Sequence, residues 1–145
     1  MILKNKTRYK IDLRKLQECV LHLLKELSLP QAQLDITFVN DPTIRRLNKK
    51  FLNKDRPTDV LSFPLYEAHE ARKIGKGFLG DVVISIPMAL RQAKTRSVSL
   101  MEEILFLMIH ATLHLLGYDH ERSKREAQVM QRLERKLIKR VGRQK

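Results

Sequence analysis

His110, His114 and His120 are the residues of this chain best suited by type and spacing to chemistry. His110 and His114 stand four apart inside the apolar stretch Ile104 to Leu116. On a helix their imidazoles leave one face at neighbouring turns and can share a tetrahedral zinc ion. A third ligand has to come from a chain that turns back. Gly117 permits the left-handed conformation that ends a helix sharply, and His120 follows three residues later, within reach of the metal. Two unpaired imidazoles in an apolar helix would each forfeit on the order of 1–3 kcal/mol of hydrogen bonding, a penalty that ligation removes. Three protein ligands leave one position open for water, the pattern of a catalytic zinc, which brings the pKa of that water to about 7. His22 and His69 lack such company and read as structural histidines.

Helices and strands must position these groups. Leu13, Leu16, Val20, Leu23, Leu24 and Leu27 recur at helical spacing, predicting an amphipathic helix that ends ahead of Pro30. Leu34, Ile36 and Phe38 alternate with polar residues and predict a strand. Asp41 and Pro42 read as an N-cap and first helical residue of a helix running to about Lys50. Thr58 to Phe63, closed by Pro64, and Phe78 to Ile86, closed by Pro87, are β-branched and aromatic runs that predict two more strands. Between them, Tyr66 to Gly77 is charged, holds Gly75 and Gly77, and reads as a hairpin connection or exposed loop. A helix is expected from Pro87 to about Arg96. Ser99 and Glu102 form a capping box for the next, Leu100 to Leu116, and a basic helix follows from about Ser123 to Val141. Strands in the middle and helices at both ends predict an α+β fold, a small mixed sheet packed with helices, with the three-His site at the end of a buried helix.

The chain has 145 residues, enough for a single domain spanning 1–145, with 43% hydrophobic and 31% charged residues. Cys19 is the only cysteine, which rules out an intramolecular disulfide and a Cys-based zinc site and suits a reducing compartment. Met1 to Lys10 carries four Lys or Arg and no apolar stretch of secretory type, and Ile104 to Leu116 is too short and too polar to span a bilayer. A cytoplasmic protein without a membrane partner is expected. The net charge of +13 and pI near 10.2 favour polyanions.

The pattern H-x-x-x-H-x-x-G-x-x-H is similar to that of the metzincin zinc proteases, which place Glu directly after the first His as general base. Here that residue is Ala111, so the metal geometry is kept without the proteolytic base. A closer resemblance rests on HATLHLLGYDH from His110, KDRPTDVLSFP from Lys54 and GDVVIS from Gly80, together with Leu47, Asn48, Glu126, Met130 and Glu134. On these segments the chain resembles the YbeY family of bacterial zinc-dependent endoribonucleases. The resemblance covers most of the chain from about residue 35 onward. It implies one zinc ion held by His110, His114 and His120, and action on single-stranded RNA. It also implies a part in small-subunit ribosomal RNA 3′-end maturation and ribosome quality control, with the small subunit and assembly factors as partners.

One departure stands out. Relatives commonly place an aromatic residue and then Arg before the K-D-x-P-T stretch, an Arg that faces the metal and assists with phosphate. This chain has Phe51 and Leu52 there. Lys54 and Arg56 are the nearest cations by sequence and both are candidates for the phosphate contact. Asp119 can accept a hydrogen bond from a ligand imidazole or from zinc-bound water, or it can be a turn residue after Gly117; the resemblance favours the site and makes it the candidate catalytic residue. Asp59 and Asp81 either support the site or cap loops. From Glu121 to Lys145 there are ten Lys or Arg against three Glu, while Ala127, Met130, Leu133, Leu137 and Val141 form an apolar stripe. The outward cations are a solvated face complementing the helix dipole or a surface for RNA phosphates. Two other functions fit less of this: a zinc peptidase, against which Ala111 stands, and a ribosome assembly factor that binds RNA without efficient cleavage, which Leu52 favours.

Overall fold

The computed structural model describes residues 1–66, 76–119 and 121–142. Among these, four strands and five helices occur in the order β1 (Leu3–Asn5), α1 (Leu13–Glu26), β2 (Gln31–Val39), α2 (Asp41–Leu52), β3 (Val60–Pro64), β4 (Lys76–Ser85), α3 (Ile86–Arg96), α4 (Leu100–Leu115) and α5 (Lys124–Gly142). The sheet order is β1-β2-β4-β3, with β1 and β4 parallel to β2 and β3 antiparallel to β4. This is the mixed sheet with helices that the sequence predicts.

Strand periodicity sends alternate side chains to two faces. Leu61 and Val83 join Val39 and Ile44 in a small core beneath α2, with Leu47 and Phe63 against it. Leu34, Ile36, Phe38, Val82 and Ile84 face the main core, shared with α1, α4 and α5. Helix α4 is apolar on nearly every side, the mark of a central helix. Between Glu103 and Leu116 every residue is buried except Phe106, His110 and His114, which follow one another at four-residue steps. Among the described residues, Phe106, His110 and His114 therefore form a half-buried stripe along an otherwise buried span of the central helix. No single helix among the described residues is long and apolar enough to cross a membrane.

The capping box acts as read. The Ser99 hydroxyl accepts from Glu102 N–H at 3.0 Å while Glu102 Oε1 accepts from Ser99 N–H at 3.4 Å, closing the capping box at the start of α4. Such a cap is worth about 1 kcal/mol. Some expectations shift: β3 and β4 run Val60–Pro64 and Lys76–Ser85 rather than Thr58 to Phe63 and Phe78 to Ile86, and two helix starts differ. Asn40, not Asp41, is the N-cap of α2; Asp41 is the first helical residue, and its carboxylate is drawn instead to the Ser85 hydroxyl at 2.6 Å and Arg91 at 2.7 Å on α3. Ser85 caps α3, so that helix begins at Ile86 rather than Pro87. Strand β1 was not anticipated, since a three-residue, half-exposed segment offers no periodicity to read. The expected Tyr66 to Gly77 connection lies largely outside the described residues, as does His69.

Candidate metal centre and its surroundings

His110 Nε2 and His114 Nε2 lie 3.2 Å apart, their rings 4.7 Å apart and nearly perpendicular. Two imidazole nitrogens each about 2.0–2.1 Å from a tetrahedral zinc are separated by about 3.3–3.4 Å, so this spacing fits a shared metal ion. The outer nitrogen of His110 supports the same fit. His110 Nδ1 is 2.6 Å from Glu134 Oε2, a carboxylate side chain only 8% exposed on α5. A carboxylate there accepts the Nδ1 proton in a hydrogen bond and turns the Nε2 lone pair toward His114 and the candidate metal position. Among the described residues no group of three His, Cys, Asp or Glu is placed to hold a metal; His120, the third ligand of the sequence pattern, lies outside them.

The turn leading to His120 is described up to Asp119. Gly117 has φ +94°, its N–H donates to His114 C=O at 3.0 Å, and Tyr118 N–H donates to Leu113 C=O at 3.0 Å. These two bonds form a Schellman motif, the helix ending that Gly117 predicts. Arg122 then ties the turn together. Its guanidinium donates to Gly117 C=O at 2.8 Å and approaches Asp119 at 3.3 Å and Glu126 at 3.5 Å. Asp119 Oδ1 also accepts from Glu121 N–H at 2.7 Å, so its carboxylate braces the turn beside the site.

The end of α4 is also fixed from the sheet. A Cβ at Gly80 of β4 would collide with the Phe63 carbonyl and stand 2.9 Å from Leu115 Cδ2. Only glycine lets β3 and the last turn of α4 come this close.

Lys54 and Arg56 sit on the exposed turn between α2 and β3. Arg56 N–H donates to Lys54 C=O at 3.0 Å, and Asn48, buried on α2, donates from Nδ2 to Arg56 C=O at 2.9 Å. Asp55 points back to Arg45 at 2.8 Å, and that guanidinium holds the carboxyl below the usual carboxylate range. The backbone of this turn is thus anchored while both candidate cations face solvent. Asp59 is anchored as well: its Oδ1 accepts from Val60 N–H at 2.7 Å and its Oδ2 from Gln92 Nε2 at 3.3 Å. The structure brings His110 and His114 together with Glu134, braces Asp119 within the following turn, and leaves Lys54 and Arg56 exposed on the α2–β3 turn.

The family model described as Endoribonuclease YbeY matches residues 2–142. The chain belongs to the YbeY family. It is 45% identical over 125 residues to Endoribonuclease YbeY of Persephonella marina, covering 86% of this chain and 80% of that protein. It is 42% identical over 141 residues to Endoribonuclease YbeY of a Sulfurihydrogenibium species, covering 94% and 90%. With Endoribonuclease YbeY of Aquifex aeolicus it shares 39% over 144 residues, covering 96% and 93%. The solution structure of TM1509 from Thermotoga maritima superposes with a TM-score of 0.71 at 27% identity, covering 97% of this chain and 89% of that one. Against the YbeY pattern, Leu52 is the last residue of α2 and 51% exposed, followed by Asn53 in the left-handed conformation. Phe51 beside it packs edge-on against Phe63 at 5.3 Å.

Three residues matter here that sequence reasoning did not assign. Glu134 carried a signal, since it stands with Met130, Leu137 and Val141 on the buried stripe of α5, where a carboxylate needs a partner. Leu133, expected in that stripe, is only half-buried. Phe106 shares the four-residue spacing of the two histidines. Arg122 gave none, because its three contacts depend on the path of the turn.

Proposed function

We propose that this chain is a single-strand-specific endoribonuclease that uses one zinc ion held by His110, His114 and His120. Its work is the 3′-end maturation of small-subunit ribosomal RNA and ribosome quality control in the cytoplasm, in company with the small subunit and its assembly factors. Family membership supplies the enzyme class, a hydrolase that cuts RNA internally. The observation that carries the metal reading is the 3.2 Å approach of the two Nε2 atoms, with Glu134 on the outer nitrogen of one ring.

Zinc bound there would supply Lewis acidity at a phosphoryl oxygen and lower the pKa of water. The chain's own groups do the rest. Glu134 orients His110, Arg122 and Asp119 brace the turn after Gly117, and the net charge of +13 draws the RNA backbone to the surface. Lys54 and Arg56 are the candidates to meet phosphate from the α2–β3 turn. Leu52 supports a second reading, an RNA-binding assembly factor with inefficient cleavage, because no guanidinium occupies that helix end.

Protein purified without a histidine tag should contain near-stoichiometric zinc and cut single-stranded ribosomal RNA. A chelator should stop cleavage and added zinc should restore it. Zinc-free protein that gains none on addition would overturn the metal site. Zinc-loaded protein that binds RNA without cutting it would establish the second reading.

A further inference from the structure

The half-buried stripe of α4 extends beyond the two histidines. Phe106 lies one turn, roughly 6 Å, before His110, and the two rings are 6.0 Å apart. Beside it, α5 presents Gln131, Arg135 and Ile138, a row one step off its buried stripe. With Phe106, His110 and Glu134 these residues enclose a groove of about 280 Å³. Its lining combines the Phe106 ring and the Ile138 side chain with the Gln131 amide, the exposed Arg135 and the buried Glu134 carboxylate, which is paired with His110. A second guanidinium is held in place nearby. Arg96 lies 4.6 Å over the Phe106 ring and 3.5 Å from Glu103, a carboxylate that is 1% exposed.

We propose that this groove is a nucleotide subsite that seats the nucleotide next to the scissile phosphate of a single-stranded RNA. This rests on the endoribonuclease reading. The base packs against Phe106 and Ile138, Gln131 meets its polar edge, and Arg135 and Arg96 meet the flanking phosphates. Single-strand binding commonly combines these parts, an aromatic platform with cations along the backbone track. A duplex would hold its bases stacked inside and could not place one here, so the groove would itself select unpaired RNA. The groove shares His110 with the candidate metal position, the ring lining the groove and carrying Nε2 toward His114.

The test is equilibrium binding of zinc-loaded protein to an uncleavable 2′-O-methyl RNA octamer, with an abasic residue scanned along it. Arg135→Ala and Phe106→Leu should each weaken binding roughly tenfold, about 1.4 kcal/mol. Arg14→Ala, which removes a cation from the exposed surface of α1, should change it less than about twofold. The abasic scan should show one sensitive position, and Phe106→Leu should erase that sensitivity. Circular dichroism and zinc content check that Phe106→Leu is folded, and Arg135 is exposed and can be removed without disturbing the core. If Arg135→Ala binds no worse than Arg14→Ala, or the abasic scan is flat, the subsite is refuted, even if the wild type cuts RNA. If the expected pattern appears in a protein that does not cut RNA, the subsite stands and the endoribonuclease reading falls.

Discussion

Glu134 Oε2 meets His110 Nδ1 at 2.6 Å across the interface between α5 and α4. A basic C-terminal helix thereby reaches into the site with its one buried acid. Glu134→Ala should weaken zinc affinity roughly 10–100-fold, the usual cost of losing the partner of a metal-bound imidazole. Glu134→Gln, which keeps an acceptor but no charge, should fall between. Competition with a chromophoric chelator reads both, and an Ala variant with native affinity would mean that the carboxylate merely fills space.

Local signals carried the fold. The Ser99–Glu102 box and the Gly117 helix ending involve residues within five positions of one another, so their outcome is set by the sequence nearby. Asp41 failed as an N-cap because Ser85 and Arg91, more than forty residues away, compete for its carboxylate. The site divides in the same way. The two helical histidines are legible from a four-residue repeat, whereas the pairing of Glu134 with His110 spans 24 residues and needs the angle between two helices. Arg96 over Phe106 joins the end of one helix to the next and has no pattern to announce it.

Leu52→Arg tests the departure from the family. If a guanidinium at that helix end stabilises charge developing on phosphate, restoring it should raise single-turnover cleavage about 10-fold, while RNA affinity changes little. If Lys54 or Arg56 already serves, Leu52→Arg should be neutral or harmful, and Lys54→Ala or Arg56→Ala should cut the rate. His114→Ala is the reference for complete loss. If it abolishes cleavage and none of the other three alters it, the α2–β3 turn has no phosphate contact.

The outward cations of α5 should appear in the salt dependence of RNA binding. Arg140 is occupied, paired with Glu26 of α1 at 3.0 Å, whereas Arg132, Lys136 and Lys139 are exposed. For single strands the log–log slope is about −0.7 per phosphate neutralised, so replacing these three with Ala should flatten it by about 2. An unchanged slope would make this face a solvated surface only.

Glu103 gives a stability profile. Burial pushes its carboxyl up; Arg96 pulls it back in part and Asp59 adds to the rise. A carboxyl raised in the folded state binds its proton more tightly there than in the unfolded chain. Its ionisation therefore costs stability as pH climbs from the unfolded value through the folded one, and the cost then levels off. Glu103→Gln should gain thermal stability over the wild type as pH rises from acid toward neutral, with the two closest at acid pH. Melting curves across that range decide it, and a constant gap would show that Glu103 titrates normally.

Gly80 makes the spacing of His110 and His114 answerable to a position away from both rings. Its hydrogen faces the Phe63 carbonyl and the Leu115 side chain, one residue from His114. Replacing that hydrogen by a methyl group would wedge the sheet edge away from the helix end and shift His114 relative to His110. Damage there would disturb the pair of histidines without touching either ring.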